Sequence, residues 1–257
     1  MAVFSEGIPL KKQYGQHFLR DQSVIDCMLD HVDTQQASVL EIGCGDGFLT
    51  SSILQSTMAR LWVFEIDQEW VHYVTQKYPD TRLSVYQENI LDVDFKRFET
   101  YKSWTLLANL PYQITFPLLH LLQKQRALFK EGVIMVQEEV AQKILKKQGR
   151  DYGYASLFFQ YYFEWKLLVK VAPDAFYPPP KVHSRLLYFK PKNPPVIEQE
   201  ELFWKFIKLC FKQPRRTLKN NLEQTHIDIR KINPSVLAMR AQQMNITDLL
   251  ALWEIVQ

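Results

Sequence analysis

VLEIGCGDGFLT, residues Val39 to Thr50, is a short apolar run that breaks into three alternate glycines and then opens a helical pattern. Glycines at such a turn let the backbone take positive φ and approach a ligand closely, and the helix that follows offers free amide donors. The spacing is GxGxG. The dinucleotide pattern GxGxxG would need a glycine at 48, where Phe48 stands. On both sides of this turn the chain alternates short apolar runs with longer amphipathic ones. Strands are predicted at 39–42, 61–64, 83–86, 104–107 and 132–136, and helices at 23–32, 48–56, 69–77, 116–123 and 138–147. That alternation predicts an α/β fold, a mostly parallel sheet with helices on both faces joined by right-handed crossovers.

Beyond it, residues 154–163 read as a helix, and 166–171 and 184–189 as strands. The segment APDAFYPPPKVH between those strands is too short for a helical crossover, so the two form an antiparallel hairpin at one end of the sheet. Pro191, Pro194 and Pro195 then punctuate KPKNPPVIE as a linker. From about residue 197 only helical patterns occur. Two domains are expected, 1–192 around the sheet and a small helical one at 197–257.

The 257 residues, 47% hydrophobic and 23% charged, have the composition of a soluble globular chain, and no apolar run approaches the roughly 20 residues that span a bilayer. The opening residues MAVFSEGIPLKKQYGQ have no signal-peptide core, so a cytoplasmic protein is expected. Cys27, Cys44 and Cys210 lie far apart, which argues against a metal site and a disulfide framework alike. The excess of 31 basic over 28 acidic residues is too slight to indicate a polyanion partner. Its distribution says more. From Lys205 to Lys219 there are six basic residues and no acidic one. A solvated helix face and a nucleic-acid contact are equally good readings of that run.

Glu65 stands at the end of the second strand, eighteen positions after Gly47. A carboxylate there can accept hydrogen bonds from both hydroxyls of a ribose. Turn and acid together indicate a nucleoside cofactor without separating a nicotinamide from S-adenosylmethionine. The fourth strand ends in Asn109-Leu110-Pro111-Tyr112. Taken alone, those residues read most simply as a strand-ending turn with a packed tyrosine. They also offer a side-chain oxygen at Asn109, a backbone carbonyl at Leu110, a fixed φ at Pro111 and an aromatic face at Tyr112, a set suited to an exocyclic amine and its base.

Five pieces in one order carry a resemblance: Tyr14-Gly15-Gln16-His17-Phe18-Leu19, the Glu41 to Thr50 turn, Glu65-Ile66-Asp67, Asn109 to Tyr112, and Phe176-Tyr177-Pro178-Pro179-Pro180-Lys181-Val182-His183-Ser184. Along nearly its whole length the chain resembles the ribosomal RNA adenine N6,N6-dimethyltransferase family, most closely the branch acting on small-subunit rRNA. The resemblance implies a Rossmann-like methyltransferase domain, S-adenosylmethionine as donor and a flipped-out adenine as acceptor. By the same resemblance, His17, Leu19, Gly43 and Gly45 border the cofactor, Glu65 holds its ribose and Asn89 faces its adenine. Asn109 lies between donor and acceptor, the Leu110 carbonyl is a second acceptor set by Pro111, and Phe176 and Tyr112 sandwich the target base.

Phe211 to Leu222, FKQPRRTLKNNL, resembles the C-terminal signature of the same branch. It implies rRNA contact through Lys208, Lys212, Arg215, Arg216 and Lys219, with 16S rRNA in an immature small ribosomal subunit as partner and a monomeric enzyme without metal. The alternatives are a large-subunit (23S) rRNA methyltransferase of the antibiotic-resistance type and an rRNA-binding assembly factor with secondary catalysis. Four positions depart from the family pattern: His17 for asparagine, Cys44 for proline, Asn89 for aspartate and Gln113 for asparagine. At Asn89 a neutral amide has to do the work of a carboxylate acceptor. His17 reads as a neutral polar liner and Cys44 as a small filler.

Overall fold

The computed structural model describes residues 3–101 and 103–257. Seven strands form one sheet: β1 (Ser38–Ile42), β2 (Arg60–Glu65), β3 (Leu83–Gln87), β4 (Trp104–Asn109), β5 (Phe129–Gln137), β6 (Phe163–Val171) and β7 (Ser184–Pro191). Their spatial order is β3-β2-β1-β4-β5-β7-β6. The first five run parallel, and β7 lies antiparallel to β5. The antiparallel end of the sheet is therefore built as expected from its sequence. β7 takes the inner place, because Leu186, Leu187 and Phe189 are fully buried, while β6 leaves Val169 exposed at the edge.

All of β1 and residues 132–136 of β5 are buried, so both faces of the sheet are covered. On one face, helices α1 (Gln22–Asp30), α2 (Phe48–Leu54) and α3 (Gln68–Lys77) set Val24, Ile25, Met28, Ile53 and Val74 against Val39, Leu61, Val63 and Leu107. Each such side chain contributes about 1.5–3 kcal/mol by leaving water. The helix starts are chemically marked. Asp21 accepts from the Ser23 amide at 3.0 Å, and Asp67 from the Glu69 amide at 3.2 Å.

The strand order reverses between β1 and β4, and a crevice opens outside the carboxyl ends of strands at such a point. The glycine turn leaves β1 there, and Asn109 ends β4 there. A further strand pairing closes the crevice. Phe18 and Leu19 pair antiparallel with Tyr177 and Phe176, which joins two segments far apart in sequence.

The chain divides into two compact units: residues through Ala141 with Glu164–Pro191, and Gln142–Phe163 with Lys192–Gln257. The second is thus larger than the expected 197–257. In it, helix α4 (Tyr154–Tyr162) places Phe158 and Tyr162 against Trp204 of helix α5 (Glu200–Cys210), with ring centroids 4.9 and 5.9 Å away. Tyr152 Oη also donates to the Met244 carbonyl at 3.1 Å. These aromatic contacts recruit 142–163 to the helical unit. Among the described residues no helix is long and apolar enough to cross a membrane, and no group of three or more His, Cys, Asp or Glu is placed to hold a metal ion.

Candidate active site

A cavity of about 370 Å³ occupies the crevice of the first unit. His17, Leu19, Gly43, Gly45, Glu65 and Asn89 line it, as do Asn109, Leu110, Pro111, Tyr112 and Phe176. Segments far apart in the chain thus converge on one space.

The turn glycines 43, 45 and 47 all have positive φ. Gly45 is tightly constrained, since a Cβ there would lie 2.7 Å from the Phe18 ring, itself wedged edge-on against Trp70. The Gly45 amide donates to Glu65 Oε2 at 3.2 Å, and the Asp67 amide donates to Glu65 Oε1 at 2.9 Å. Each carboxylate oxygen keeps a further lone pair for a ligand hydroxyl. Burial pushes the Glu65 carboxyl above its ordinary pKa, partly offset by those two amides. Cys44 is buried and its thiol is held protonated by burial, as befits a filler.

Asn109 donates from Nδ2 to the His17 carbonyl at 3.1 Å. This bond fixes the amide orientation and leaves Oδ1 as an acceptor. His17 in turn sets Nδ1 2.7 Å from the Pro178 carbonyl, which can only accept, so the proton sits on Nδ1. The His17 ring lies over that of Tyr112, centroids 6.1 Å apart. Tyr112 is held at its hydroxyl, 2.7 Å from Ser184 Oγ, and burial raises its pKa. Phe176 lines the cavity but is only 4% exposed, so little of its ring reaches the space where a base would stack. Gln113 lies against Gly15.

Several contributors have no local signal in the sequence. Ser184 closes the motif that begins at Phe176, yet nothing near it shows that it meets Tyr112. Asp67 stands two positions after Glu65, but its role depends on distant residues. Lys11 Nζ reaches Asp67 Oδ1 at 2.6 Å and Gln16 Nε2 reaches Oδ2 at 3.1 Å, which straps the N-terminal arm beside the cavity. Arg20 and Asp46 add an ion pair at 2.5 Å.

Under the turn, Glu41 on β1 is fully buried, accepts from Thr50 Oγ1 at 2.7 Å through Oε2, and has no partner for Oε1 among the described residues. Burial lifts its pKa to about 8. A folded value above the unfolded one means the native state holds a proton that the unfolded chain has released. This contribution to stability is complete below about pH 4.5 and is lost as pH rises toward 8. Glu41→Gln is expected to remove a slope of at most about 1.4 kcal/mol per pH unit in that window. Urea denaturation of both proteins at about pH 5 and about pH 8 measures it, and an unchanged slope would refute the assignment.

In the second unit, Lys208, Lys212, Arg215, Arg216 and Lys219 are all exposed. None is ion-paired among the described residues; Lys208 sits 4.7 Å over the Tyr154 ring. The turn carrying Arg215 and Arg216 is anchored by buried Asn221. Its Oδ1 accepts from the Gln213 amide at 3.1 Å, and its Nδ2 donates to the Cys210 and Gln213 carbonyls at 2.9 and 3.1 Å.

A sheet of this order, with a glycine turn after β1 and an acid ending β2, defines the Rossmann-like class of S-adenosylmethionine-dependent methyltransferases. The donor set fits that cofactor: a carboxylate with spare lone pairs, a turn with close backbone approach and a cavity lined by both. Within the class, the chain belongs to the ribosomal RNA adenine dimethylase family, whose model matches residues 8–257. It is 35% identical to the ribosomal RNA small subunit methyltransferase A of Chlorobium phaeobacteroides over 96% of this chain and 91% of that one. The protein of that name from Mesomycoplasma hyopneumoniae is 36% identical over 82% and 81%. Among solved structures, a dimethyladenosine transferase from Plasmodium falciparum is similar with a TM-score of 0.73 and 26% identity, over 81% of this chain and 76% of that one. The 23S rRNA methyltransferase ErmE shares the fold at a TM-score of 0.68 and 21% identity, over 93% and 99%.

Proposed function

We infer that the protein dimethylates the N6 amines of two adjacent adenosines near the 3′ end of 16S rRNA. The observation that carries this reading is the Asn109 amide, pinned through Nδ2 to the His17 carbonyl so that Oδ1 remains an acceptor at the end of β4.

The N6 lone pair of adenine is delocalised into the ring and is a poor nucleophile. Acceptors placed at the amino hydrogens favour the pyramidal nitrogen, and their hold strengthens as positive charge develops there. Asn109 Oδ1 is one such acceptor and the Leu110 carbonyl the other. Pro111, with φ −55°, fixes the direction of the strip. Tyr112, braced by Ser184, presents a face on which the extruded base stacks, while Phe176, buried by its pairing with Leu19, contributes to the cavity wall rather than a second open stacking face. Stacking worth about 1–3 kcal/mol offsets much of the cost of flipping. Glu65 holds the cofactor ribose. His17, Leu19, Gly43 and Gly45 border the same ligand. S-adenosylmethionine, when bound, supplies the electrophilic methyl group. The methylated nitrogen is a strong acid and its proton leaves to water, so no general base is required.

The second unit provides the rRNA-binding surface, through Lys208, Lys212, Arg215, Arg216 and Lys219. The reading extends to a cytoplasmic monomer acting on an immature small subunit, where the adenines are reachable for flipping. The purified protein, given labelled S-adenosylmethionine, is expected to methylate adenines of 16S rRNA in immature small subunits. Label confined to large-subunit RNA would overturn the assignment, and stoichiometric binding without label would point to an assembly factor.

A further inference from the structure

Asn89 follows β3 and begins a 3-10 turn, Ile90–Asp92, at the cavity wall. Its side-chain amide is oriented from both ends. Oδ1 accepts from the Leu91 amide at 3.2 Å, and Nδ2 donates to Asp92 Oδ2 at 2.7 Å. An amide oxygen accepts two hydrogen bonds, so one lone pair of Oδ1 is left for a ligand donor.

The two nearby acids are not equivalent. Glu88, which also lines the cavity, is gripped by Arg97 through both oxygens, at 3.0 and 3.1 Å. Asp92 is exposed and, among the described residues, meets no cation; its carboxylate bonds to the Asn89 amide. A carboxylate drawing on Nδ2–H polarises the amide and makes its oxygen a better acceptor, since linked hydrogen bonds strengthen one another. An anion behind the amide thereby supplies the charge that the amide itself lacks.

We propose that Asp92 is a positioning residue that makes Asn89 an acceptor for the amino group of the cofactor's adenine. Asn89 and Asp92 together do what one carboxylate at position 89 would do alone. The pair is matched: an aspartate at 89 would stand within hydrogen-bond distance of the Asp92 carboxylate and be repelled by it. The proposal rests on the reading that Asn89 faces the cofactor adenine.

The test is calorimetric titration of the full chain with S-adenosylhomocysteine and with its analogue carrying hydrogen in place of the 6-amino group. The wild type should prefer the amino ligand. Asp92→Ala should bind that ligand about five- to tenfold more weakly, because the bond from its amino group to Asn89 remains but loses its charge assistance, and bind the hydrogen analogue unchanged. The charge-swapped double variant, Asn89→Asp together with Asp92→Asn, should recover the preference, because the amide it carries at position 92 can donate to the carboxylate at position 89. Equal weakening of both ligands in Asp92→Ala, or no weakening of either, overturns the role of Asp92 alone. A wild type that binds the two ligands equally overturns the placement of Asn89 and the proposal with it. Asp92 is exposed, so its substitution leaves the core intact.

Discussion

Asn109→Ala is expected to lower methyl transfer about 10²–10³-fold at saturating cofactor and RNA, with RNA affinity within about twofold of wild type. The magnitude is that of removing one fixed acceptor from a site where charge develops only in the transition state. The change deletes Oδ1, and it also leaves the His17 carbonyl without the donor that now reaches it at 3.1 Å. Some cofactor affinity should be lost too, since His17 borders the same cavity, so the rate must be read in single turnovers with cofactor in excess. Asn109→Asp separates the two contributions. It keeps an acceptor but sets a carboxylate against the His17 carbonyl, and it should fall between wild type and alanine. Turnover of Asn109→Ala within about threefold of wild type would remove Asn109 from the reaction centre, whatever else the site does.

The parts of this site that could be read from sequence are those in which one short segment carries its own physical reason. The run 39–50 shows a buried strand breaking into glycines, and Glu65 shows an acid at the next strand's end. In both cases the local pattern and the place at the cavity coincide. Alternation likewise revealed the parallel strands, because periodicity reports which faces are buried. It does not report which distant segment covers a face. The pairing of Phe18-Leu19 with Phe176-Tyr177 and the 161-position link from His17 to Pro178 are set by tertiary packing, and nothing in either segment names the other. The same holds for Ser184 under Tyr112. Residues 142–163 join the helical unit for a related reason: their aromatics are apolar enough for either unit, and the distant partners Trp204, Phe211 and Met244 decide. Phe176 is the instructive case, because its motif implied a stacking ring, while its pairing with Leu19 sinks that ring to 4% exposure.

Replacing Arg215, Arg216 and Lys219 together by alanine should do the reverse of Asn109→Ala. RNA affinity is expected to fall about 10- to 100-fold near 0.15 M salt, while the rate at saturating RNA and the cofactor affinity stay unchanged. The three side chains are exposed and form no ion pair among the described residues, so in the free protein their charges are uncompensated. Their removal should not disturb the turn, which Asn221 holds through backbone atoms of Cys210 and Gln213. The distinguishing readout is the salt dependence. Each phosphate contact releases counterions, and losing three should reduce the slope of log affinity against log salt by about two. A weaker complex with an unchanged slope would mean that the residues act by shaping the turn. An unchanged affinity would return the basic run to the plain reading its composition first allowed, a solvated face over an apolar one. Paired with Asn109→Ala, the triple variant asks whether binding and chemistry reside in different units of the chain. A variant that binds without transferring and another that transfers without binding tightly would establish that division.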